Sequence, residues 1–229
     1  MGRLNIMKND LLSQALVKFF AGVALLAALL FLPAGSLSYW NAWLLLGILF
    51  IPMFCAGLVM LRKSPELLKK RLNAKETEGD QKRVIALSGL MVLAAFLLAG
   101  FNYRFQWLPA PAWTAWAGAA LFLAAYALYG EVLRENEYLS RTIEVRENQR
   151  VVDTGLYGVV RHPMYAATLI LFLSMGWVLG SPLSFIVLLC YIPIIAKRIK
   201  NEEKVLETGL AGYTAYKEKV RYKVIPYVW

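Results

Sequence analysis

The residues best suited to chemistry lie in the segment TGLYGVVRHPMY, residues 154–165, which contains the only histidine of the chain. Pro163 fits the first position of a helix and forces the residue before it into an extended conformation. We therefore predict that a helix begins at Pro163 with His162 at its N-cap. Free backbone N–H groups and the positive end of the helix dipole would then lie beside Arg161 and His162, where a carboxylate or phosphate can bind. In the alternative, Arg161 only reaches toward the membrane surface and His162 only caps the helix.

A second charged segment, RIKNEEKVLETG, covers residues 198–209. Arg198 and Glu202 are four residues apart and would share one face of a helix. Glu202 or Glu203 could bind an ammonium, a ribose diol or a sulfonium, although a surface ladder of ion pairs would use the same spacing. Together with the anion site at the start of the predicted helix, these carboxylates favour a ligand that carries both signs of charge.

The elements that must position these residues are apolar. Hydrophobic residues make up 59% of the 229 residues and charged residues only 17%, against about 25% charged residues in soluble domains. Crossing a bilayer takes about 20 mostly apolar residues, and five stretches qualify: 15–35, 37–61, 84–101, 112–130 and 164–196. The last stretch is too long for one span, and Gly180-Ser181-Pro182 in its middle is typical of a turn. We predict an all-α, polytopic membrane protein with about six transmembrane helices, the last two of which form a hairpin.

The distribution of basic residues supports this topology. Of the 25 Lys and Arg residues, all but Arg104 fall in segments that six spans place on one side of the membrane. The positive-inside rule then predicts that both termini are cytoplasmic. The net charge of +10 is accordingly assigned to topology and to anionic membrane lipids, and no nucleic-acid partner is expected. Cys55 and Cys190 lie in apolar stretches, and no metal site is expected.

The chain divides by character into two regions. Residues 1–130 are predicted to form four N-terminal transmembrane helices. The segment that begins at Ser64-Pro65-Glu66 is either a short amphipathic helix, whose leucines at 67, 68 and 72 would enter the membrane interface, or a solvated linker. Residues 131–229 carry polar segments before and after the hairpin 164–196. Because a short hairpin brings those segments to the same membrane face, we predict that they form the lid and floor of an active site.

The second region resembles a known superfamily. A G-x-Y-x-x-x-R-H-P-x-Y motif, a helical hairpin, an Arg with a Glu-Glu pair and a Tyr-rich tail resemble the isoprenylcysteine carboxyl methyltransferases and phospholipid methyltransferases. The matching residues are Gly155, Tyr157, Arg161, His162, Pro163, Tyr165, Arg198, Glu202, Glu203, Leu206, Tyr213, Tyr216 and Pro226. The chain departs from the pattern at Ala167, where the family often has Gly, and slightly altered packing is expected there.

The resemblance implies an integral membrane methyltransferase that uses S-adenosyl-L-methionine and a lipophilic or prenylated acceptor that enters from the bilayer. It assigns catalytic roles to Arg198 and Glu202. It assigns cofactor binding to Tyr157, Arg161, His162, Tyr165 and Glu203. A carboxylate acceptor of the prenylcysteine type is already ionised and needs no base, whereas an amine or thiol acceptor would need one, and His162 is the one imidazole that could serve.

Two other classes compete with this interpretation. The sterol reductases, which are NADPH-dependent oxidoreductases, share an R-H-P-x-Y motif and a similar tail, but they resemble one another in a longer chain of about ten spans. This chain is short and keeps the Glu-Glu pair. A non-enzymatic membrane protein, such as a small transporter or scaffold, is the third class, yet no predicted span carries a clearly central ionisable residue.

Overall fold

The computed structural model describes residues 2–73, 79–136, 138, 145 and 149–229. Within these ranges the chain is helical, as predicted, and a short 3₁₀ helix at Gly155–Gly158 accompanies the α-helices. The α-helices are α1 (Gly2–Ala34), α2 (Trp40–Lys63), α3 (Pro65–Asn73), α4 (Gly79–Phe105), α5 (Ala112–Glu135), α6 (Pro163–Val178), α7 (Pro182–Leu188), α8 (Tyr191–Gly209) and α9 (Tyr213–Lys219).

Apolar helices occupy all six positions where the sequence predicts a span. Among the residues that the structure describes, five helical segments are long and apolar enough to cross a bilayer: Leu11–Ala34, Trp40–Lys63, Lys82–Phe105, Ala112–Glu135 and Pro182–Gly209. The remaining helix, α6, has 16 residues. At 1.5 Å per residue it is about 24 Å long, shorter than the roughly 30 Å hydrocarbon core. The fold class is confirmed, and the predicted fifth span is a short apolar helix.

The predicted turn at Gly180-Ser181-Pro182 joins α6 to α7. Gly180 adopts a φ of +63°, a left-handed conformation that glycine takes at little cost. Ser181 then caps α7, because its side chain accepts a hydrogen bond from the backbone N–H of Ser184, and Pro182 occupies the first helical position. Sequence and structure agree closely here because these residue types each favour one local geometry.

The predicted sixth span is not one continuous helix. It breaks after Leu188 and resumes at Tyr191 as α8. Pro193 has no N–H to donate to the Leu189 carbonyl, and its ring collides with that carbonyl in a regular helix. The carbonyl instead accepts a tighter hydrogen bond from Ile192. After the break, α8 extends past the apolar stretch to Gly209, so that one rigid helix carries both the core-facing residues and the Arg and Glu pair.

Close helix crossings depend on small residues, as is usual where helices pack in lipid. A Cβ atom on Gly100 of α4 would lie 2.8 Å from the Leu30 carbonyl of α1, and one on Gly118 of α5 would lie 2.9 Å from Trp177 of α6. A Cβ on Gly176 of α6 would lie 2.6 Å from the backbone of Phe185 in α7. These three glycines therefore let the backbones of the hairpin and its neighbours approach one another.

One apolar core joins the two predicted regions. It includes Leu30 of α1, Leu45 of α2, Phe96 of α4, Phe122 of α5 and Leu188 of α7, all essentially inaccessible to solvent. The core continues into the hairpin and reaches Val224 of the C-terminal tail. In addition, α5 runs past residue 130 to Glu135 and packs most extensively against α6. The N-terminal helices and the predicted catalytic region thus share one packed interior.

The predicted amphipathic helix is present as α3. The side chain of Leu68 is buried, with 6% of its surface exposed, so it packs inward and does not project into the membrane interface as expected. Lys18 of α1 donates a hydrogen bond to the Leu72 carbonyl at 2.6 Å and holds the end of α3 against α1. The side chain of residue 67 lies outside the described residues.

Candidate functional site

The start of α6 has the predicted geometry. His162 is the N-cap, and Pro163 follows at the first helical position. The backbone N–H groups of Arg161 and His162 donate to the carbonyls of Tyr222 and Lys223 at 2.9 and 2.8 Å. The C-terminal tail therefore runs beside the segment that precedes α6 and fixes its position.

The C-terminal tail folds back so that several of its backbone N–H groups bind one oxygen atom. The backbone N–H groups of Lys223, Val224 and Ile225 all donate to an oxygen of Trp229, at 2.8–2.9 Å. Three successive N–H groups that converge on one acceptor form a compact backbone nest. This closure holds the tail in place where it contacts Arg161 and His162.

The 3₁₀ helix before α6 is attached to the end of α5. Gly155 has a φ of +55°, and a Cβ there would lie 2.1 Å from a carboxylate oxygen of Glu135. That carboxylate accepts a hydrogen bond from the Leu156 N–H at 2.9 Å. Only glycine fits both the backbone conformation and the space, and the result is that Tyr157 is held in a buried position.

Glu203 is the centre of a buried charge cluster. Its Oε1 atom accepts a hydrogen bond from Arg161 Nε at 2.9 Å and lies 3.2 Å from His162 Nε2. All three residues are buried, each exposing 5–6% of its surface. Arg161 also donates through Nη1 to the carbonyls of Val220 and Arg221 at 2.7 and 2.8 Å. The anion that Arg161 and His162 bind is therefore an internal carboxylate.

Two lysines complete this cluster at its solvent-facing side. Lys223 Nζ lies 3.6 Å and Lys217 Nζ 3.9 Å from Oε2 of Glu203. Lys217 also pairs with Glu207, one helical turn further along α8. The cluster thus joins α6, α8, α9 and the tail through one carboxylate, and removing that carboxylate would leave Arg161 buried without its counter-charge.

A second polar group lies one residue away on α8 and faces a different direction. Arg198 Nε donates a hydrogen bond to the hydroxyl of Tyr165 at 3.0 Å, and that hydroxyl donates to the carboxylate of Glu202. The guanidinium carbon of Arg198 also lies 6.0 Å from the centre of the Tyr165 ring. Tyr165 of α6 therefore bridges the Arg198 and Glu202 pair that the sequence placed on one face of α8.

These residues surround a cleft at the end of the hairpin away from its turn. The cleft is partly open to solvent, and about 820 Å³ of space lies between its atoms when the open part is counted. Its walls are formed by Asn136, Tyr138, Gln149, Arg150, Val151, Val152, Tyr157, Arg161, His162, Met164, Tyr165, Arg198, Glu202, Leu206, Leu210, Tyr213 and Tyr216.

Six of the seven predicted site residues line this cleft, and Glu203 does not. Its carboxylate is turned away and is used by Arg161 and His162. A pattern in the sequence could have separated the two glutamates, because Glu203 continues the buried face formed by Ile195 and Ile199 whereas Glu202 follows Arg198. The wall formed by residues 149–152 was missed, since no motif marks it.

The tyrosines of the cleft are neutral hydrogen-bonding groups. Burial raises the pKa of Tyr157 to about 12, and burial also raises the pKa values of Tyr213 and Tyr216 well above their usual range. Because burial disfavours the charged phenolate, these hydroxyls remain protonated at physiological pH. Tyr216 donates to the Tyr157 carbonyl at 2.7 Å, which joins α9 to the 3₁₀ helix.

This region is similar to known proteins. Residues 112–208 match the sequence model of the isoprenylcysteine carboxyl methyltransferase family. A solved structure of a eukaryotic intramembrane Ras methyltransferase, an isoprenylcysteine carboxyl methyltransferase, superposes with a TM-score of 0.55 at 16% sequence identity. The superposition covers 99% of this chain and 86% of the other. At this identity the likeness concerns the fold.

A curated mouse protein is also similar. The Delta(14)-sterol reductase TM7SF2 of Mus musculus is 30% identical over 93 residues, which are 38% of this chain and 22% of the relative. The chain therefore spans about a fifth of the length of that protein.

Proposed function

We propose that the chain is a member of the isoprenylcysteine carboxyl methyltransferase superfamily and that it transfers a methyl group from S-adenosyl-L-methionine to a lipophilic carboxylate. The acceptor is of the prenylcysteine type, and the reaction is carboxyl O-methylation at the membrane face. The observation that carries the proposal is the cleft itself, where Arg198, Tyr165 and Glu202 are linked at the mouth of an apolar hairpin. With both termini cytoplasmic, this cleft opens on the cytosolic side.

The residues of the cleft suit the cofactor. When bound, S-adenosyl-L-methionine supplies an electrophilic methyl group on a positively charged sulfonium. The carboxylate of Glu202 can bind the ammonium or face the sulfonium, while Tyr157, Arg161, His162 and Tyr165 line the walls. Glu203 takes a different role from the one expected, since it holds Arg161 and His162 in place from behind.

The surroundings of His162 favour a carboxylate acceptor over an amine or thiol. An amine or thiol must lose a proton during methylation, so the site would need a base. Nε2 of His162 lies 3.2 Å from Glu203, and the ring is buried, so the imidazole is held within the charge cluster. A carboxylate is ionised already, and Arg198 has the planar N–H groups that orient such an anion.

The contribution of the protein to the reaction is alignment. Tyr165 holds Arg198 and Glu202 in fixed relative positions, and methyl transfer depends strongly on the line between donor and acceptor atoms. Met164 both lines the cleft and packs against the transmembrane core. It therefore connects the polar site to the apolar interior, where a prenyl chain entering from the bilayer can lie.

A second candidate rests on the similarity to the sterol reductase. In that case the cleft would bind NADPH and the reaction would be a reduction. Glu202 argues against it, because a carboxylate that lines the cleft would repel the phosphates of NADPH.

The test is a transfer assay with protein in nanodiscs, radiolabelled S-adenosyl-L-methionine and N-acetyl-S-farnesyl-L-cysteine. Carboxyl methyl esters release labelled methanol in base, whereas N-methyl and S-methyl products do not. Base-labile label in the farnesylated product would support the proposal. The absence of transfer to the farnesylated carboxylate, with base-stable label on a farnesylated amine or thiol offered in its place, would overturn the proposal.

A further inference from the structure

The end of the C-terminal tail exposes apolar side chains although the residues around them are packed. Tyr227 and Val228 expose 87% and 78% of their surface, and Ile225 exposes 41%; these three residues are called the tail tip. Val224 beside them is buried in the transmembrane core, and Trp229 packs against that core. Ile225 and Trp229 also exchange two backbone hydrogen bonds, of 2.9 and 3.0 Å. The tail tip is therefore a closed loop that is fixed in place without being covered.

Tyr227 has a backbone conformation that does not suit a bulky residue. Its φ is +64°, in the left-handed region that glycine adopts freely and that aromatic residues seldom adopt. Its ring contacts that of Tyr222, with 5.1 Å between the ring centres, yet most of the side chain stays exposed. A strained backbone that presents an exposed aromatic ring indicates that the ring has a partner outside the chain.

The location of the tail tip indicates what that partner is. The backbone N–H groups of Arg161 and His162 donate to carbonyls of the tail, and the apolar helix α6 begins directly after them, at Pro163. Val224 reaches the core that the transmembrane helices share. The tail tip thus lies where the apolar helices meet the polar part of the protein, at the level expected for the headgroups of a bilayer.

Exposed aromatic side chains also mark the opposite membrane boundary, near the turn between α6 and α7. Five exposed tryptophans lie at or near the beginnings of α2 and α5: Trp40, Trp43, Trp107, Trp113 and Trp116. Membrane proteins concentrate Trp and Tyr at both interfaces, because these rings suit the headgroup region. Tyr227 is placed to serve this purpose at the boundary beside the cleft.

Basic residues lead to the tail tip. Lys219 and Arg221 are exposed, and Lys223 follows them. No Asp or Glu occurs between Glu218 and Trp229. Apolar side chains enter the membrane interface while neighbouring Lys and Arg attract anionic lipid headgroups. The sign of this charge favours an anionic lipid surface over a neutral one.

We propose that the tail tip docks onto the headgroup region of the bilayer around the protein, and that Lys219 and Arg221 make this surface prefer anionic phospholipids. The inference goes beyond the proposed function, because it does not depend on the reaction that the cleft catalyses. The same tail is bonded to the segment that precedes α6, so docking also attaches that segment to the membrane surface.

The test uses a nitrobenzoxadiazole label on Val228→Cys, in a full-length chain that also carries Cys55→Ser and Cys190→Ser. The protein is placed in nanodiscs of phosphatidylcholine, with or without phosphatidylglycerol, that contain doxyl-labelled lipid as a quencher. The control is a label on Thr214→Cys, an exposed position of α9 beyond the end of α8. The label at position 228 should be quenched, and more strongly with phosphatidylglycerol, whereas the control label should not be quenched.

Two further variants separate the apolar from the charged contribution. Tyr227→Gly should reduce the quenching at position 228 and leave the melting temperature in detergent unchanged or higher, because glycine accepts the left-handed conformation. Arg221→Gln should lower the ratio of docked to undocked label roughly fivefold in phosphatidylglycerol, the effect of one basic side chain near an anionic surface. In phosphatidylcholine alone, Arg221→Gln should have little effect.

Three results would overturn the inference. A label at position 228 that is quenched no more than the control would show that the tail tip faces water or a protein partner. Equal quenching with and without phosphatidylglycerol would show that the surface does not select anionic lipid. A marked fall in the melting temperature of Tyr227→Gly in detergent would show that the exposed ring serves the folding of the tail.

Discussion

The two ends of the helical hairpin use their polar groups in opposite ways. At the turn, Tyr39 donates to the Leu179 carbonyl at 2.6 Å and Asn41 to the Val178 carbonyl at 2.8 Å. These side chains satisfy carbonyls at the end of α6 and join the beginning of α2 to the hairpin. At the other end, Tyr165, Arg198 and Glu202 are linked to one another at the wall of a cleft. Polar groups at the turn bond to backbone carbonyls and serve stability, whereas those at the cleft bond to one another at its wall, where we propose that a ligand binds.

The Glu203 cluster lies at the cleft end of the hairpin, but it serves stability, as the polar groups at the turn do. It is buried and joins α6, α8 and the tail through direct contacts. Adjacent glutamates on one helix thus have different uses, and the comparison between turn and cleft extends to this pair.

The largest effect is expected for Glu203→Gln. The change leaves Arg161 buried without its counter-charge, and losing one partner of a buried ion pair costs about 3–5 kcal/mol. The melting temperature in detergent should fall sharply, and binding of S-adenosylhomocysteine should be lost with it. Glu207→Gln is the matched control, since that residue is also on α8 and pairs with Lys217 but is partly exposed. A melting temperature that falls equally in both variants would contradict the account.

Arg198→Lys should affect activity and leave stability nearly unchanged. Lysine keeps the charge but loses the planar geometry that bonds Tyr165 and matches a carboxylate. We expect kcat/KM for the farnesylated acceptor to fall roughly a hundredfold, the size of effect that misplacement of a reacting group produces. The affinity for S-adenosylhomocysteine should change little. A large loss of cofactor affinity with normal kcat would instead assign Arg198 to the cofactor.

At the turn the outcome should be the reverse. Tyr39→Phe and Asn41→Leu each remove one hydrogen bond to a carbonyl of the hairpin, at a cost of roughly 1 kcal/mol. The melting temperature should fall by a few degrees, while the dissociation constant of S-adenosylhomocysteine stays the same. Altered ligand affinity in either variant would show that the turn and the cleft are coupled, and would contradict the claim that polar groups at the turn serve stability alone.

The smallest effect concerns the exposed ion pair of Asp153 and Lys219, whose side-chain atoms are 2.8 Å apart. The hydrogen bond from Lys219 lowers the pKa of Asp153 below its usual value of 3.8. A carboxylate whose pKa is lower in the folded than in the unfolded state stabilises the fold at pH values above the unfolded-state pKa. This stabilisation is lost as the pH falls through the folded-state pKa. Asp153→Asn should therefore lower the melting temperature only slightly at pH 7, because the pair is exposed. The difference should shrink as the pH falls below about 4, and a difference that grows in acid would contradict this sign.

The sequence predicted those features that depend on local geometry. Pro163 and His162 at the start of α6, and Gly180 and Ser181 at the turn, have backbone preferences that identify their positions without any knowledge of the fold. The break before α8 was equally encoded by Pro193, although it was not anticipated. In each case one residue type strongly restricts its own neighbourhood.

Features that depend on distant contacts were not predictable in the same way. Adjacent glutamates point about 100° apart on a helix, and the spacing of Glu203 from Ile195 and Ile199 indicates that it is the buried one. That its partners are Arg161 and His162 follows only from the fold. The contacts of Tyr39 and Asn41 join residues almost 140 positions apart, and no local pattern reports them. The wall at residues 149–152 likewise becomes part of the site only when the chain folds.

The most direct test of the central claim is a calorimetric titration of S-adenosylhomocysteine and of NADPH into protein in nanodiscs, beside Glu202→Gln. The account predicts micromolar binding of S-adenosylhomocysteine, a clear loss of that affinity in Glu202→Gln without a change in melting temperature, and no binding of NADPH. Binding of NADPH in place of the adenosyl ligand would contradict the account and assign the cleft to a reductase.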